Sequence, residues 1–295
     1  MRIFVTGASG WIGSAVTAEL IAAGQQVVGL ARSDAAAERV AAMGATVQRG
    51  DITDHVGLRA GADGVDGIVH TAFIHDFSAH EAAAAVDLAA VELFGDLLEG
   101  SGRPLVIASG ILGAVSVETD RPDPATVWSP RVRTEATLLG FAERGVRSSS
   151  VRLSPTVHGD GDHGFMAALV GMDREKGSSG YIGDGGNRWP AVHRLDAAHL
   201  FCLALEKAPA GSVLHAVDDE GVPLRDVADV IGRHLDVPVI SVAPDDAVDH
   251  FGWLGRMLAI DSPASSAITR ELVGWEPTHP KLIEDLELGH YFRAR

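Results

Sequence analysis

Cys202 is the one cysteine among 295 residues, so neither an intramolecular disulfide nor a thiolate zinc cage can form. A reducing compartment suits such a chain, and the cytoplasm is the expected location. Tyrosine is almost as scarce, at Tyr181 and Tyr291, and lysine occurs at Lys176, Lys207 and Lys281, every other basic residue being arginine. No apolar run approaches the roughly 18 residues of a membrane span. The opening Met1-Arg2-Ile3-Phe4-Val5-Thr6-Gly7 reaches glycine before a signal-peptide core could form, so no membrane partner is expected. Basic residues are outnumbered 24 to 40 by acidic ones, and a net charge of −16 repels a phosphate backbone, which argues against nucleic acid as a partner. Repeats and low-complexity linkers are also missing.

What is present is a globular balance, 46% hydrophobic and 22% charged, in a chain long enough for two lobes. Over residues 1–155, short β-branched runs alternate with helical patterns, which predicts strand-helix-strand units and a parallel sheet. The predicted strands are 2–5, 26–30, 46–48, 67–70, 104–108 and 147–153. Helices are predicted at 11–23, 33–43, 55–60, 79–99 and 130–144, with Gly24, Gly44, Gly100 and Gly145 where left-handed helix ends favour glycine. Six strands and five crossovers describe an α/β, doubly wound parallel sheet. The helix at 79–99 is apolar on more than one face, which predicts a partner for the second face. From 156 to 295 the pattern loosens into Gly-rich stretches. A helix at 196–206, a strand at 212–216 and helices near 224–234 and 246–257 follow, read as a smaller C-terminal substrate lobe with some segments returning to the first.

Gly7-Ala8-Ser9-Gly10-Trp11-Ile12-Gly13 follows the first strand and opens the first helix. Gly7, Gly10 and Gly13 stand where the backbone must turn tightly, and the amides beginning the helix are an anion site suited to a dinucleotide diphosphate. At the end of the second strand a carboxylate would bind a ribose 2′-hydroxyl. The sequence has Arg32-Ser33 instead, so NADP (NADPH) is the expected cofactor and NAD the less favoured one. A solvated arginine beside a plain N-cap serine is the alternative.

These residues carry a family resemblance. Thr6–Gly13, Gly50-Asp51-Ile52-Thr53-Asp54, Val69-His70-Thr71-Ala72, Val151–Gly159, Trp189–Ala198 and Leu272–Pro277 make essentially the whole chain similar to the extended short-chain dehydrogenase/reductases. That group includes the nucleotide-sugar epimerases and dehydratases. The resemblance implies a Rossmann-type fold, with Ser9, Trp11 and Ile12 in the diphosphate loop and Asp51 and Ile52 flanking the adenine. Thr71, Ala72 and Phe73 would pass under the ribose and nicotinamide, and Ser154, Pro155, Thr156 and Val157 would lie against the nicotinamide. Helices 79–99 and 130–144 resemble those the family pairs in a dimer, which implies a homodimer.

The same family normally protonates the substrate oxygen with a tyrosine four residues before a lysine. Here Gly185 stands four after Tyr181 and Arg295 four after Tyr291, so the pair cannot be supplied. By position Arg131 replaces the tyrosine, Glu135 replaces the lysine, and Ser109 takes the serine function. An arginine and a glutamate four apart are equally the recipe for a surface ion pair. His158, after the sixth strand, and His75, in the loop after the fourth, are the candidate acid-base histidines; His193 reads as structural. The run His158-Gly159-Asp160-Gly161-Asp162-His163-Gly164 fails as a calcium loop, because Gly171 stands where a bidentate glutamate is required. It reads as a Gly-rich turn at the pocket mouth, and no metal is expected. Phe165, Met166, Trp253 and Met257 suit an apolar pocket or plain core.

The leading expectation is an NADPH-dependent oxidoreductase reducing a small-molecule C=O or C=N substrate with non-standard acid-base groups. A non-catalytic NADP-binding redox sensor or scaffold is the first alternative. A nucleotide-sugar epimerase or dehydratase is the second, and it needs the missing tyrosine more acutely.

Overall fold

The computed structural model describes residues 1–74, 80–111, 113, 115–123 and 131–293. Strands β1 (Arg2–Thr6), β2 (Gln26–Ala31), β3 (Thr46–Arg49), β4 (Gly67–His70), β5 (Pro104–Gly110) and β6 (Arg147–Leu153) form where β-branched runs predict them. With β10 (Ser212–Ala216) they make one sheet in the order β10-β6-β5-β4-β1-β2-β3, every pairing parallel. The α/β doubly wound class is therefore as expected. The strand at 212–216, expected in the C-terminal part, becomes the seventh strand of the main sheet, paired to β6 through Leu214 and Val151.

Side-chain alternation along the strands divides the core into two layers. Ile3 and Val5 face a layer with Val16 and Leu20 of α1 (Trp11–Ala22) and Leu200 and Phe201 of α7 (Arg194–Lys207). Phe4 and Ile68 face the other, with Leu58 of α3 (His55–Ala62), Phe94 of α4 (His80–Leu98) and Leu138 of α5 (Arg131–Gly140). The polar ends of these helices are set locally. Ser33 Oγ accepts from Ala36 N at 3.2 Å to start α2 (Asp34–Ala42), and Asp54 Oδ1 accepts from Gly57 N at 3.0 Å to start α3. The helix predicted at 130–144 stops at Gly140, because residues 141–145 tighten into i to i−3 bonds such as Ala142 N to Leu139 O at 3.1 Å. Helices α3 and α5 flank α4, so part of its second apolar face is taken up inside the chain.

The Gly-rich C-terminal half holds more strand than its sequence pattern predicts. β7 (Thr156–His158), β9 (Arg188–His193) and β11 (Asp219–Pro223) form a three-stranded sheet, and β8 (Ser179–Ile182) pairs with β12 (Val239–Val242). Around them pack α6 (Phe165–Lys176), α8 (Leu224–Leu235) and α12 (Leu282–Glu287), sharing a core of Met166, Trp189, Val227, Ile231 and Leu286. The helix predicted at 246–257 is instead α9 (Ala247–Phe251) and α10 (Gly255–Leu258). Gly252 between them takes φ +56°, a left-handed value that ends α9. Among the described residues no helix is long and apolar enough to cross a membrane.

Trp275 fixes the C-terminal part to the sheet. It follows α11 (Ala267–Val273), is fully buried in the α1–α7 layer, and donates from Nε1 to Asp196 O at 3.0 Å. Trp275→Ala is expected to lower stability by about 3–5 kcal/mol. Urea denaturation of the full chain checks this, and a loss below about 1 kcal/mol would show that this anchor is dispensable.

Candidate active site

A cavity of about 1930 Å³ runs along the carboxyl edge of the main sheet, well beyond the roughly 300–1,000 Å³ that holds a drug-sized ligand. Its position follows from topology, since the loops after β1 to β6 all open on that edge. Each cofactor-contact residue expected from the sequence lines it. They are Gly7, Ser9, Gly10, Trp11, Ile12 and Gly13 after β1, Arg32 and Ser33 after β2, and Asp51 and Ile52 after β3. Thr71, Ala72 and Phe73 follow β4, Ser109 lies near the end of β5, and Ser154, Pro155, Thr156 and Val157 follow β6.

The glycine loop is a cradle that side chains would fill. Gly7 has φ +68°, and a Cβ there would lie 2.8 Å from Ala72 N. A Cβ on Gly13 would lie 2.1 Å from Gly7 O. Gly10 donates to Gly7 O at 2.8 Å, and the first bond of α1 comes from Ser14 N to Gly10 O. The amides of Trp11, Ile12 and Gly13 therefore point out of the helix start into the cavity, an arrangement that fits a diphosphate. Trp11 ties this loop to β7 through Nε1 to Val157 O at 3.0 Å. Arg194 lies 4.1 Å over its ring and donates to Trp11 O at 2.7 Å. Sequence reasoning missed Arg194 and also His163, whose ring meets the edge of Trp11 at 5.6 Å and lines the cavity on the Gly-rich turn. That turn does border the cavity, and Tyr291 Oη braces it by donating to Asp162 Oδ2 at 2.9 Å.

At the β2 end Arg32 is exposed on the cavity wall and joined by Arg39, also missed. The spacing of seven residues, two helical turns, was the available signal. Among the described residues neither arginine forms an ion pair, whereas Arg49 beside them is held by Asp34 at 2.5 Å.

The β5–β6 end has two pairs of opposite charge. Arg131 lies 4.4 Å over the Phe73 ring, donates from Nη2 to Ala108 O, and places Nε 3.7 Å from Asp87 Oδ2. Glu135 does not pair with Arg131 as the surface reading had it. Its carboxylate is buried and accepts from Ser150 Oγ at 2.7 Å and from Arg152 Nε at 3.0 Å. Burial by itself would raise the Glu135 pKa. The Arg152 bonds and charge, with Ser150 and then Ser109 adding to them, carry it below the ordinary value. Glu135 is thus held ionised by Arg152, and it lines the cavity beside Ser109. Arg152 is fully buried and also donates to Asp120 O at 2.9 Å and to His215 Nε2 at 3.3 Å. His215 Nδ1 bonds the Ser265 carbonyl, so Nδ1 carries the proton and the ring is neutral.

His158 is the clear correction. Alternation along β7 turns Val157 to the cavity and His158 away from it, into the interior. There it is fully buried, with Nδ1 2.9 Å from Asp285 Oδ2. It cannot reach a substrate. The other histidine candidate, His75, lies outside the described residues. His193 is structural as expected: its Nδ1 accepts from Leu195 N at 3.2 Å to cap α7, and burial lowers its pKa to about 4. His193, Asp196 and His279 bring ligand-type atoms within 4.8 Å of one another. The Asp196 carboxylate, however, is filled by Thr278 N, His279 N and His279 Nδ1, and the two imidazoles stack in parallel, so this group fits a hydrogen-bonded clamp better than a metal cage. Neither tyrosine lines the cavity, whereas Phe165, Met166, Trp253 and Met257 all do.

Residues 3–99 match the model of the NAD dependent epimerase/dehydratase family. The chain is 47% identical over 300 residues to an uncharacterized protein of Schizosaccharomyces pombe, covering 99% of this chain and 100% of the relative. It is 27% identical over 245 residues to 4-hydroxy-2-methyl-3-oxo-4-farnesyl-3,4-dihydroquinoline-1-oxide ketoreductase of Stigmatella aurantiaca, covering 76% of this chain and 70% of that one. Among solved structures, the Thermus thermophilus UDP-glucose 4-epimerase in complex with NAD superposes with a TM-score of 0.73 at 21% identity, covering 99% of each chain.

Removing one member of the buried Glu135–Arg152 pair leaves the other charge uncompensated. Glu135→Gln is expected to cost about 3 kcal/mol at pH 7. Because its folded pKa is depressed, the stability Glu135 contributes is present above its unfolded value of about 4.3 and lost as pH falls through the folded value. Chemical denaturation at pH 7 and pH 3 checks both. A variant whose acid loss equals the parent's would refute the assignment.

Proposed function

We propose NADPH-dependent reduction of a small C=O or C=N bond for this chain, which belongs to the NAD dependent epimerase/dehydratase family. Its family and relatives make it an NAD(P)-dependent enzyme of the oxidoreductase and epimerase type. The observation that supports the choice of reduction is the lining of the cavity: Arg131 borders it and neither Tyr181 nor Tyr291 does, whereas an epimerase needs a group that removes a hydroxyl proton. An arginine remains protonated at all working pH and cannot abstract a hydroxyl proton, but it can hold the oxygen of a carbonyl undergoing reduction. The ketoreductase relative supports the same direction.

A bound dihydronicotinamide supplies a hydride to the acceptor carbon, and the oxygen or nitrogen then takes a proton. The chain's residues do the rest. The Gly7–Gly13 loop would hold the diphosphate, and Thr71–Phe73 with Ser154–Val157 would hold the nicotinamide. Arg131 and Ser109 orient the acceptor atom and stabilise the charge it gains. Water ordered by Arg131, or the substrate itself, is the proton source, since His158 is out of reach.

The preference for NADPH over NADH rests on Arg32 and Arg39, two cationic forks without an acidic partner among the described residues, together with Ser33. The paired replacement Arg32→Ala with Arg39→Ala is expected to weaken NADPH binding by about 10- to 100-fold and to leave NADH within about threefold. Fluorescence titration with both cofactors measures this, and tighter binding of NADH by the parent would exclude the assignment. For the reduction itself, single-turnover absorbance decay of bound NADPH against aldehydes, ketones and imines is expected to show hydride loss with at least one class. Tight binding with no decay on any of them would leave the redox-sensor reading instead. We carry the homodimer forward as a proposal resting on α4 and α5; sedimentation at micromolar concentration giving a monomer mass would contradict it.

A further inference from the structure

Behind Arg131 stands a buried chain of polar groups that no step above uses. Asp87, on α4, is 1% exposed and does not itself line the cavity, whereas the Arg131 side chain is 22% exposed and does. Asp87 Oδ1 is 3.1 Å from His70 Nε2, and His70 Nδ1 is 2.8 Å from Thr6 Oγ1. Thr6 Oγ1 accepts from Ala72 N at 3.3 Å, so its own proton is available to His70 Nδ1. His70 thus bridges the Thr6 hydroxyl and the Asp87 carboxyl group. Burial by itself would raise the Asp87 pKa, but the His70 bond and the Arg131 charge hold it below the ordinary carboxylate value. Asp87 is therefore a carboxylate.

Two arginines at this end of the cavity each stand beside a carboxylate. Arg131 is offset by Asp87, and Arg152 by Glu135. Arg131 nevertheless has N–H donors to spare, because of its five only one on Nη2 is hydrogen-bonded among the described residues, to Ala108 O, Asp87 at 3.7 Å being an ion partner only. At Arg131 the site thus offers directed hydrogen bonds from a cation whose charge Asp87 offsets. A neutral carbonyl oxygen gains from that arrangement. A carboxylate adjacent to the carbonyl would lose its hydration and meet, at Arg131, a cation already offset by Asp87. Around it the walls are apolar, from Phe73, Ile111, Phe165 and Met257, and Arg256 at the rim is exposed to water.

Resting on the reductase reading, we infer that Asp87 is the specificity-determining residue of this cavity, selecting carbonyl substrates with no anionic group beside the reacting carbon over 2-oxo acids. It acts through Arg131 and does not touch the substrate. In its absence Arg131 would be an open anion site.

The test uses the full chain saturated with NADPH and the pair phenylglyoxylate and methyl phenylglyoxylate, which differ only in the charge beside the ketone. The parent is expected to favour the ester in kcat/KM by about tenfold or more. Asp87→Asn is expected to shift that ratio about tenfold toward the acid, and Arg131→Gln to shift it the other way, with NADPH affinity by fluorescence within about twofold of the parent in both. A merely structural Asp87 would lower both rates together and leave the ratio unchanged, which would overturn the inference, as would a parent preference for the acid. If neither compound is reduced, the reductase reading loses support on its own account. The ester-to-acid ratio of dissociation constants, read by quenching of bound NADPH, then decides the specificity inference in the same directions. Should Asp87→Asn fail to fold, the parent ratio and the Arg131→Gln shift are sufficient to decide.

Discussion

The approach of α1 to the end of β1 is the constraint on which the remaining geometry depends. Gly13 lies so close to Gly7 that a single added carbon would sit 2.1 Å from the Gly7 carbonyl, and Gly7 in turn is packed against Thr71 and Ala72 at the end of β4. Only hydrogen fits at these two positions. The close contact lets the first helix start directly over the sheet edge with its amides directed into the cavity, and it leaves Trp11 projecting toward β7. Through Trp11, Val157 and Arg194 the same loop joins the sheet to the C-terminal half, so cofactor cradle and lobe junction are one piece of structure.

A second organising feature is a pair of arginine–carboxylate contacts at the β5–β6 end of the cavity. Two buried pairs, Arg131 with Asp87 and Arg152 with Glu135, occupy the space beyond Phe73 and Ser109. Buried pairs add little net stability compared with apolar packing, but each is costly to break, and together they hold donors rigidly against the cavity. Rigid donors suit a reaction in which charge grows on one oxygen. The hydrogen-bonded run from Thr6 through His70 to Asp87 starts one residue before the glycine loop, and Arg131 joins its end as an ion partner 3.7 Å from Asp87.

Legibility in the sequence followed the range of the interactions. The glycine loop, the Arg32-Ser33 turn and the alternation of strands with helices depend on neighbours a few residues apart, and each stands where its pattern pointed. His158 was misread because a two-residue alternation decides its direction, and the register of the three-residue strand β7 is set by pairing to β9. The partner of Glu135 was not legible because Arg152 is 17 residues away on a neighbouring strand, whereas the residue four away on its own helix was the visible candidate. Asp87 gave no sign at all: one of four carboxylates in an alanine-rich helix, it has meaning only once α4 and α5 pack side by side.

By itself the chain's sequence determined the sheet class, the dinucleotide cradle, the cationic cofactor end and the impossibility of a Tyr-x-x-x-Lys pair, because composition, spacing and local backbone sterics decide these. Tertiary packing alone decided the placement of β10 at the sheet edge, the inward turn of His158, and the partners of Arg131 and Glu135. Those depend on which surfaces meet, and charge pairs between elements distant in sequence have no local pattern to announce them.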